Sequence, residues 1–352
     1  MTTQKLIYVF SLLGDLLKDF LYSFEYKISN NNPLYKEFEE TILNAQYHNQ
    51  WFTPENTTYA LAQIANNLNR DSLENWLNKY DVKTKNKTIA LIMAGNIPLV
   101  GFHDILSCLI TQNKVIAKMS SQDNILPILL KRLITNIESS LDDKLFLTSD
   151  RITHFDAVIA TGSNNSARYF EYYFQKYPHI IRKNKTSIAI LDGNEPDNII
   201  KLLAEDFFRY FGLGCRNISK LYIPNNYDIT KFKTLWSNFA NLINHNKYAN
   251  NYIYNKTLYL MNNHPFFDAG YFIMVENSSI FSPISVLNYE FYSSEKELYK
   301  SLIPYKNDIQ IIVSNNNNHN AFHKTIPIGN SQKPQLDDYA DGIDTINFIL
   351  SL

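Results

Sequence analysis

TIALIMAGNIP, residues 88–98, is a short apolar run that stops at a glycine, an asparagine and a proline. Thr88 to Met93 reads as a fully buried strand, and Ala94-Gly95-Asn96-Ile97-Pro98 reads as the turn that closes it. A helical stretch follows from about Leu99 to Thr111, then a second strand, Lys114-Val115-Ile116-Ala117-Lys118. Ile125 to Ile137 reads as another helix, and Ala157-Val158-Ile159-Ala160 as a third strand. That strand runs through Thr161-Gly162-Ser163 into a helix reaching Tyr173. Short apolar strands alternating with helices predict βαβ units and a parallel sheet.

The alternation resumes near residue 186. Ser187 to Leu191 is a strand, Asp197 to Phe211 a helix, and Lys220 to Ile223 a further strand. More strands are expected at 271–275, 283–287 and 309–313, a polar loop at 314–319, and a short last helix near 343–351. Residues 1 to about 80 read as helices with Asn-rich joints such as Ser29-Asn30-Asn31-Asn32-Pro33.

Composition narrows the class. A chain of 352 residues with 45% hydrophobic content can bury a core and suggests two domains. With 33 basic and 34 acidic residues, no charge excess points to nucleic acid. Two cysteines make no disulfide framework, so a reducing cytoplasm is the expected compartment. The N-terminus is read as an amphipathic helix rather than a signal peptide. Leu6, Phe10, Leu13, Leu17, Phe20 and Phe24 have helical spacing, and Asp15, Lys18 and Asp19 interrupt the apolar run. No segment has the length and apolarity of a membrane span.

Glycine is scarce, at 10 residues, and two of them stand just before a cysteine in Phe211-Gly212-Leu213-Gly214-Cys215-Arg216-Asn217. A thiol on such a turn can be held away from the backbone with amide N–H groups around it, which suits a nucleophile whose adduct has an oxyanion to hold. Arg216, Lys220 and nearby amides are candidates to lower the thiol pKa. A buried apolar cysteine at a tight turn is the competing reading. Cys108 lies on an apolar helix and reads as core.

Three more segments have two readings each. Asn96 is a donor to an oxyanion or an ordinary turn residue. Lys118 and Ser120 hold a ribose or phosphate or form a solvated strand end. Thr161-Gly162-Ser163 faces a phosphate at a helix N-terminus or is a plain strand–helix turn. The cluster from His245 to Tyr252 reads as a solvated helix end, with His245 as an alternative proton donor.

Taken in order, these segments resemble the aldehyde dehydrogenase superfamily, and more closely the LuxC-type acyl-CoA reductases that make fatty aldehyde. Residues 160–168 are similar to the family's cofactor loop and 211–217 to its nucleophile turn. Phe281-Ser282-Pro283-Ile284 resembles the superfamily's Phe-Gly-Pro motif, and Tyr339-Ala340-Asp341-Gly342 also resembles this subfamily. The resemblance implies an α/β fold with a Rossmann-type cofactor domain, an α/β catalytic domain and a helical N-terminal region. Residues 1–185 would hold the helical region and nucleotide-binding domain, 186–318 the catalytic domain, and 319–352 a segment returning to the cofactor domain.

By the same resemblance, Cys215 is the acyl-accepting nucleophile, and Asn96 with the Cys215 N–H forms the oxyanion hole. Lys118, Ser120, Thr161, Gly162, Ser163 and Phe281 would contact the cofactor, and no residue is assigned to a metal. Two departures carry information. Hydrolytic relatives have a Glu-Leu-Gly-Gly motif whose Glu activates water, and Ile190 stands at that Glu in Ile190-Leu191-Asp192-Gly193. Ser121 stands where many NAD-dependent members carry an acidic residue, so NADPH is expected, with NADH as the alternative. Ser279 replaces the acidic residue that usually holds the nicotinamide ribose.

The expected activity is reduction of an acyl thioester, from CoA or a carrier protein, to an aldehyde. The alternatives are an acyl-phosphate reductase of the same superfamily and an inactive binding homologue. The acyl donor is the expected partner, with a homo-oligomer allowed and no nucleic acid or stable membrane insertion.

Overall fold

Four helices open the chain: α1 (Thr3–Tyr26), α2 (Tyr35–His48), α3 (Pro54–Asn67) and α4 (Arg70–Leu77). The apolar stripe of α1 is what orders them. Leu6, Phe10, Leu13, Leu17 and Phe20 are buried, with Phe24 partly so. Thr2 caps the start of α1 by accepting the Lys5 N–H, and Lys27 ends it in the left-handed conformation. Gly14 lets the neighbouring chain come close: a Cβ there would lie 2.5 Å from the Leu68 carbonyl oxygen.

The computed structural model describes residues 1–82 and 86–352 and divides them into two units, 1–184 with 335–352, and 185–334. In the first unit, β1 (Thr88–Ile92) leads through α5 (Phe102–Ile110) to β2 (Lys114–Lys118). Then come α6 (Leu126–Ile137), β3 (Leu145–Thr148), β4 (Ala157–Thr161), α7 (Asn164–Phe174) and β5 (His179–Arg182). The five strands are parallel in the order β3-β2-β1-β4-β5. The apolar strands β1 and β4 lie at the middle, as expected where helices cover both faces of a sheet.

The second unit begins with β6 (Thr186–Ile190), α8 (Asp197–Phe208) and β7 (Ile218–Pro224). It continues with α9 (Lys231–Leu235), α10 (Asn246–Met261), β8 (Phe267–Asp268), β9 (Ile273–Glu276) and β10 (Val286–Tyr292). Then α11 (Glu295–Leu302), β11 (Ile309–Val313) and β12 (Thr325–Ile326) complete a sheet ordered β12-β11-β6-β7-β10-β9-β8. All its pairs are parallel except β8 with β9.

The chain then returns to the first unit and ends in α12 (Thr345–Ser351). The return starts at Gln335 rather than at 319, because β12 first adds to the edge of the second sheet. Two polar knots hold the returning segment. Tyr339, of the Tyr-Ala-Asp-Gly stretch, takes the Trp76 indole N–H on its hydroxyl at 2.7 Å and shares a hydrogen bond of 2.7 Å with Tyr80. Arg182 makes two bonds to the buried Asp104, at 2.6 and 3.0 Å, and a third to Thr345 at 3.0 Å. The two-point geometry fixes the orientation of both side chains, and removing either partner would leave a buried charge unanswered.

Helix propensity alone says that Gly14→Ala should stabilise α1 by about 1 kcal/mol. The Leu68 carbonyl reverses that sign. We expect a loss of about 1–3 kcal/mol, read as a lower denaturation midpoint; a raised midpoint would mean that α1 does not approach Leu68 so closely.

Candidate active site

In the first unit the assigned residues share one edge. Asn96 follows β1, Lys118 and Ser120 end or follow β2, and Thr161 to Ser163 end or follow β4. Because β2, β1 and β4 are adjacent and parallel, with Ile92 opposite both Lys118 and Ala160, all of them lie at the carboxyl ends of the strands. Strand order also reverses direction between β1 and β4, and open α/β sheets bind ligands outside such a switch point.

Each residue there has a local reason for its place. Ser163 caps α7, its hydroxyl accepting the Ser166 N–H at 3.2 Å. Gly162 has no room for a side chain: a Cβ would lie 2.9 Å from Ser166 Cβ and 3.0 Å from the Phe170 ring. Lys118 gives two N–H donors to the Ser149 and Asp150 carbonyls, at 2.6 and 3.2 Å, which leaves one donor of three for a ligand. Ser120 Oγ accepts the Gln122 N–H at 3.2 Å. Asn96 is exposed on its turn, and Ser121 is exposed as well.

In the second unit, Cys215 and Phe281 belong to the opposite kind of edge. Cys215 precedes β7 and Phe281 precedes β10, so these parallel neighbours put both at strand starts. Ser219 joins the two loops, its hydroxyl donating to the Ile280 carbonyl. The 39% exposed Phe281 sits in a loop pinned by Asn288, whose amide donates to the Ser279 and Phe281 carbonyls at 3.0 and 2.9 Å.

The cysteine turn is strained and stapled. The helix expected to reach Phe211 stops at Phe208, because Tyr210 (φ 54°), Phe211 (φ 57°) and Gly212 (φ 78°) are left-handed in succession. For the two aromatic residues this costs about 1–2 kcal/mol each. Asn217, buried to 2% exposure, holds the reversal. Its Nδ2 donates to the carbonyls of Asp206, Phe207 and Arg209 at 3.1, 3.4 and 2.8 Å, satisfying the end of α8. Its Oδ1 accepts the Gly214 N–H at 2.8 Å, and its own N–H donates to the Gly214 carbonyl at 3.0 Å. Cys215 is thus carried on a closed four-residue turn, with its carbonyl taking the Ser187 hydroxyl at 2.9 Å. Asn217 stood in the sequence motif without a role; the side-chain bonds that give it one join residues eight to eleven positions apart.

The charged neighbours have partners of their own. Lys220 is buried and its ammonium is paired with Glu290 at 2.6 Å and with the Asn277 carbonyl, so its charge is answered away from the turn. Burial, countered in part by Glu290, lowers its pKa. Arg216 donates to the Ser331 carbonyl at 2.5 Å. The same loop is gripped by Asp206, whose carboxylate accepts the Gly329 and Ser331 N–H groups at 2.6 and 2.8 Å. Burial pushes the Asp206 carboxyl up to about 6.

The cluster after residue 245 is support rather than solvated chain. His245 caps α10 by accepting the Tyr248 N–H at 3.4 Å, and its ring lies 4.5 Å from that of Phe211. Tyr248 and Tyr252 are buried. The two cysteines separate as the sequence suggests: Cys108 is fully buried, which raises its pKa well above the usual thiol value, whereas Cys215 is partly exposed. Ile190 is buried with Tyr222 and Ile312 in the sheet core, and Glu195 nearby in sequence binds the Asp192 and Gly193 N–H groups.

This architecture is an aldehyde dehydrogenase fold. The chain is similar to aldehyde dehydrogenase 21 from Physcomitrella patens, crystallised with succinate, with a TM-score of 0.67 and 13% identity over 100% of this chain and 84% of that one. It is similar also to aldehyde dehydrogenase C from Pseudomonas syringae, crystallised with NAD+ and octanal, with a TM-score of 0.63 and 12% identity over 92% and 74%. Within that fold, the acyl-CoA reductase (LuxC) family matches residues 1–245, and the chain belongs to that family. A long-chain acyl-protein thioester reductase from Aliivibrio fischeri is 26% identical over 171 residues, which cover 43% of this chain and 35% of that protein. The matched part is thus about a third of that relative's length.

Asn217→Ala should cost on the order of 2–3 kcal/mol by leaving the Gly214 N–H and the α8 carbonyls unanswered. Asn217→Asp should be worse at neutral pH, since it sets a carboxylate against three carbonyl oxygens. A denaturation midpoint for Asn217→Asp equal to wild type would contradict the staple. Asp206 gives a pH test. Its folded pKa lies above the 3.8 of an ordinary Asp, so its contribution to stability is full below about pH 4 and is lost as pH rises through about 6. The stability of wild type relative to Asp206→Asn should therefore increase as pH falls from about 7 to about 4; a constant difference would rule out the raised pKa.

Proposed function

We propose that the chain reduces an acyl thioester to an aldehyde through a covalent thioester on Cys215. The observation that carries this is the stapled turn: in a chain of this family, a partly exposed cysteine sits on a four-residue turn fixed by Asn217 and Ser187, directly after the left-handed residues 210–212. Strain retained at one turn and secured by buried hydrogen bonds is characteristic of functional sites.

The Cys215 thiolate attacks the acyl carbonyl carbon, forming a new C–S bond. The Asn96 amide and the Cys215 main-chain N–H are the donors assigned to the oxyanion that develops. Collapse breaks the bond to the departing thiol, which leaves as CoA or carrier thiolate and takes a proton. Cys215 then holds the acyl group as a thioester. Addition of hydride to the carbonyl carbon of this thioester, which a bound reduced nicotinamide would supply, gives a hemithioacetal on Cys215, and breaking its C–S bond releases the aldehyde and restores the thiolate. Gly162, Ser163 and the remaining Lys118 donor are the groups that would hold the cofactor's phosphates and ribose, with Ser120 and Thr161 beside them and Phe281 against the nicotinamide half.

One feature favours reduction over release of acid, and a second bears on the cofactor. Ile190 occupies the place of the water-activating Glu of hydrolytic relatives and is buried in apolar surroundings, so no base aims water at the thioester from there. Ser121 offers no carboxylate against a 2′-phosphate, which supports NADPH over NADH. The likeness to the long-chain acyl-protein thioester reductase supports a fatty acyl donor carried by CoA or a protein.

The test is nicotinamide oxidation followed by absorbance, with acyl-CoA esters of graded length, acyl phosphates, NADPH and NADH. Acyl-CoA-dependent NADPH oxidation is expected in wild type and a loss of at least about a thousandfold in Cys215→Ser, as for removal of a covalent nucleophile. Full activity in Cys215→Ser would overturn the covalent route. Turnover of acyl phosphates but not acyl-CoA would favour the phosphate reductase, and labelling of Cys215 without turnover a binding homologue.

A further inference from the structure

Asp123 is a buried carboxylate with no part in the chemistry above, and it grips the turn that carries Asn96. Its side chain is 4% exposed. Oδ2 accepts the Leu99 N–H at 2.8 Å, and Oδ1 is buried with no hydrogen-bond partner among the described residues. Leu99 is itself left-handed (φ 55°), a conformation that a leucine holds only when its surroundings fix it. The two turns also interlock at Gly95. A Cβ there would lie 2.6 Å from Ser120 Oγ and 3.1 Å from the Asp123 nitrogen. Asn49, at the end of α2, ties the same two turns, its amide reaching the Gln122 carbonyl at 3.2 Å and the Gly95 carbonyl at 3.5 Å.

We infer that Asp123 is a positioning residue: as the carboxylate, it holds the Leu99 N–H and so fixes the turn 95–99 that aims the Asn96 amide. The inference rests on the assignment of Asn96 to the oxyanion and adds to it the group that sets its geometry. A charge-assisted bond to a main-chain N–H is about twice as strong as a neutral one, and a neutral carboxyl would hold Leu99 less firmly. The same burial makes this grip depend on pH. It pushes the Asp123 carboxyl up to about 7, opposed only by the Leu99 N–H. The contacts of Asp123 are with uncharged groups: the Leu99 N–H bonds its carboxylate, the Ser120 carbonyl accepts its main-chain N–H at 3.1 Å, and Gly95 lies against that nitrogen. Of the ionisable neighbours at the ends of β2 and α2, Lys118 binds the Ser149 and Asp150 carbonyls and His48 is exposed, and neither contributes to the shift.

The sign separates positioning from stability. A carboxyl whose folded pKa is raised stabilises the fold as pH falls through about 7, whereas acyl transfer should slow over the same interval as the grip weakens.

The experiment measures release of CoA from decanoyl-CoA in a single quenched turnover, from below to above neutral pH, for wild type, Asn96→Ala, Asp123→Asn and the double variant. Asp123→Asn should slow acyl transfer about tenfold, a fraction of the loss expected for deleting an oxyanion donor, and should leave the KM for NADPH within about threefold of wild type. The double variant should be no slower than Asn96→Ala alone, because Asp123 acts through Asn96. Additive losses in the double variant would overturn the inference while leaving the role of Asn96 intact. No loss in Asn96→Ala would remove both. Should Asp123→Asn fail to fold, wild type and Asn96→Ala still decide: the slowing near pH 7 should be present in the first and absent in the second, and its persistence in Asn96→Ala would overturn the inference.

Discussion

The hydrogen bonds of one buried amide, Asn217, decide what the second unit can do. Its Nδ2 closes the end of α8 and its Oδ1 closes the turn before β7, so helix, turn and strand are fixed as one piece. Without it, three left-handed residues in a row would have no reason to persist, since two of them are aromatic and pay for the conformation. Phe211 finds its partial compensation in the His245 and Tyr248 rings, which is why a polar and aromatic cluster some thirty residues away in the chain belongs to the same turn.

The same logic of a grip on a turn recurs in the first unit, where Asp123 and Asn49 lock the segment after β1 to the segment after β2. In both places a side chain that does no chemistry answers main-chain groups at the end of a regular element. The chemistry assigned to the site asks for this. An oxyanion donor and a thiolate contribute through fixed geometry, and a donor that has to be reoriented during the reaction loses most of its value. The departures from the hydrolytic pattern fit the same scheme. With Ile190 in the sheet core and Glu195 committed to two main-chain N–H groups, an acyl group on Cys215 would wait for hydride rather than water.

Much of the fold is legible because its inner strands carry apolar runs. β1, β2, β4, β6 and β11 lie within a residue or so of where the runs of Ile, Val, Leu and Ala predict them. β3, β5 and β12 escaped notice because edge strands bury less and are short; β3 has one buried residue of four. β10 was read several residues early because Pro283 and Ile284 continue the apolar run, yet the strand starts only after the left-handed Ser285. Of the candidate site, the sequence proposes Cys215, Asn96, Lys118, Ser120, Thr161, Gly162, Ser163 and Phe281, and their place at strand ends follows from the same apolar runs. It could not show Asn217, Ser187, Asp206 or Asp123 at work, since each acts through a main-chain group brought near only by folding. The Lys220–Glu290 pair is hidden for the same reason, since its members stand seventy residues apart.

The most direct measurement is the mass of the protein after mixing with acyl-CoA in the absence of any nicotinamide. Covalent catalysis at Cys215 predicts one added acyl group, carried by the peptide containing Cys215, absent from Cys215→Ser, and discharged when NADPH is supplied. Protein that stays at its unmodified mass while still converting acyl-CoA to aldehyde, or an acyl group found only elsewhere in the chain, would contradict it.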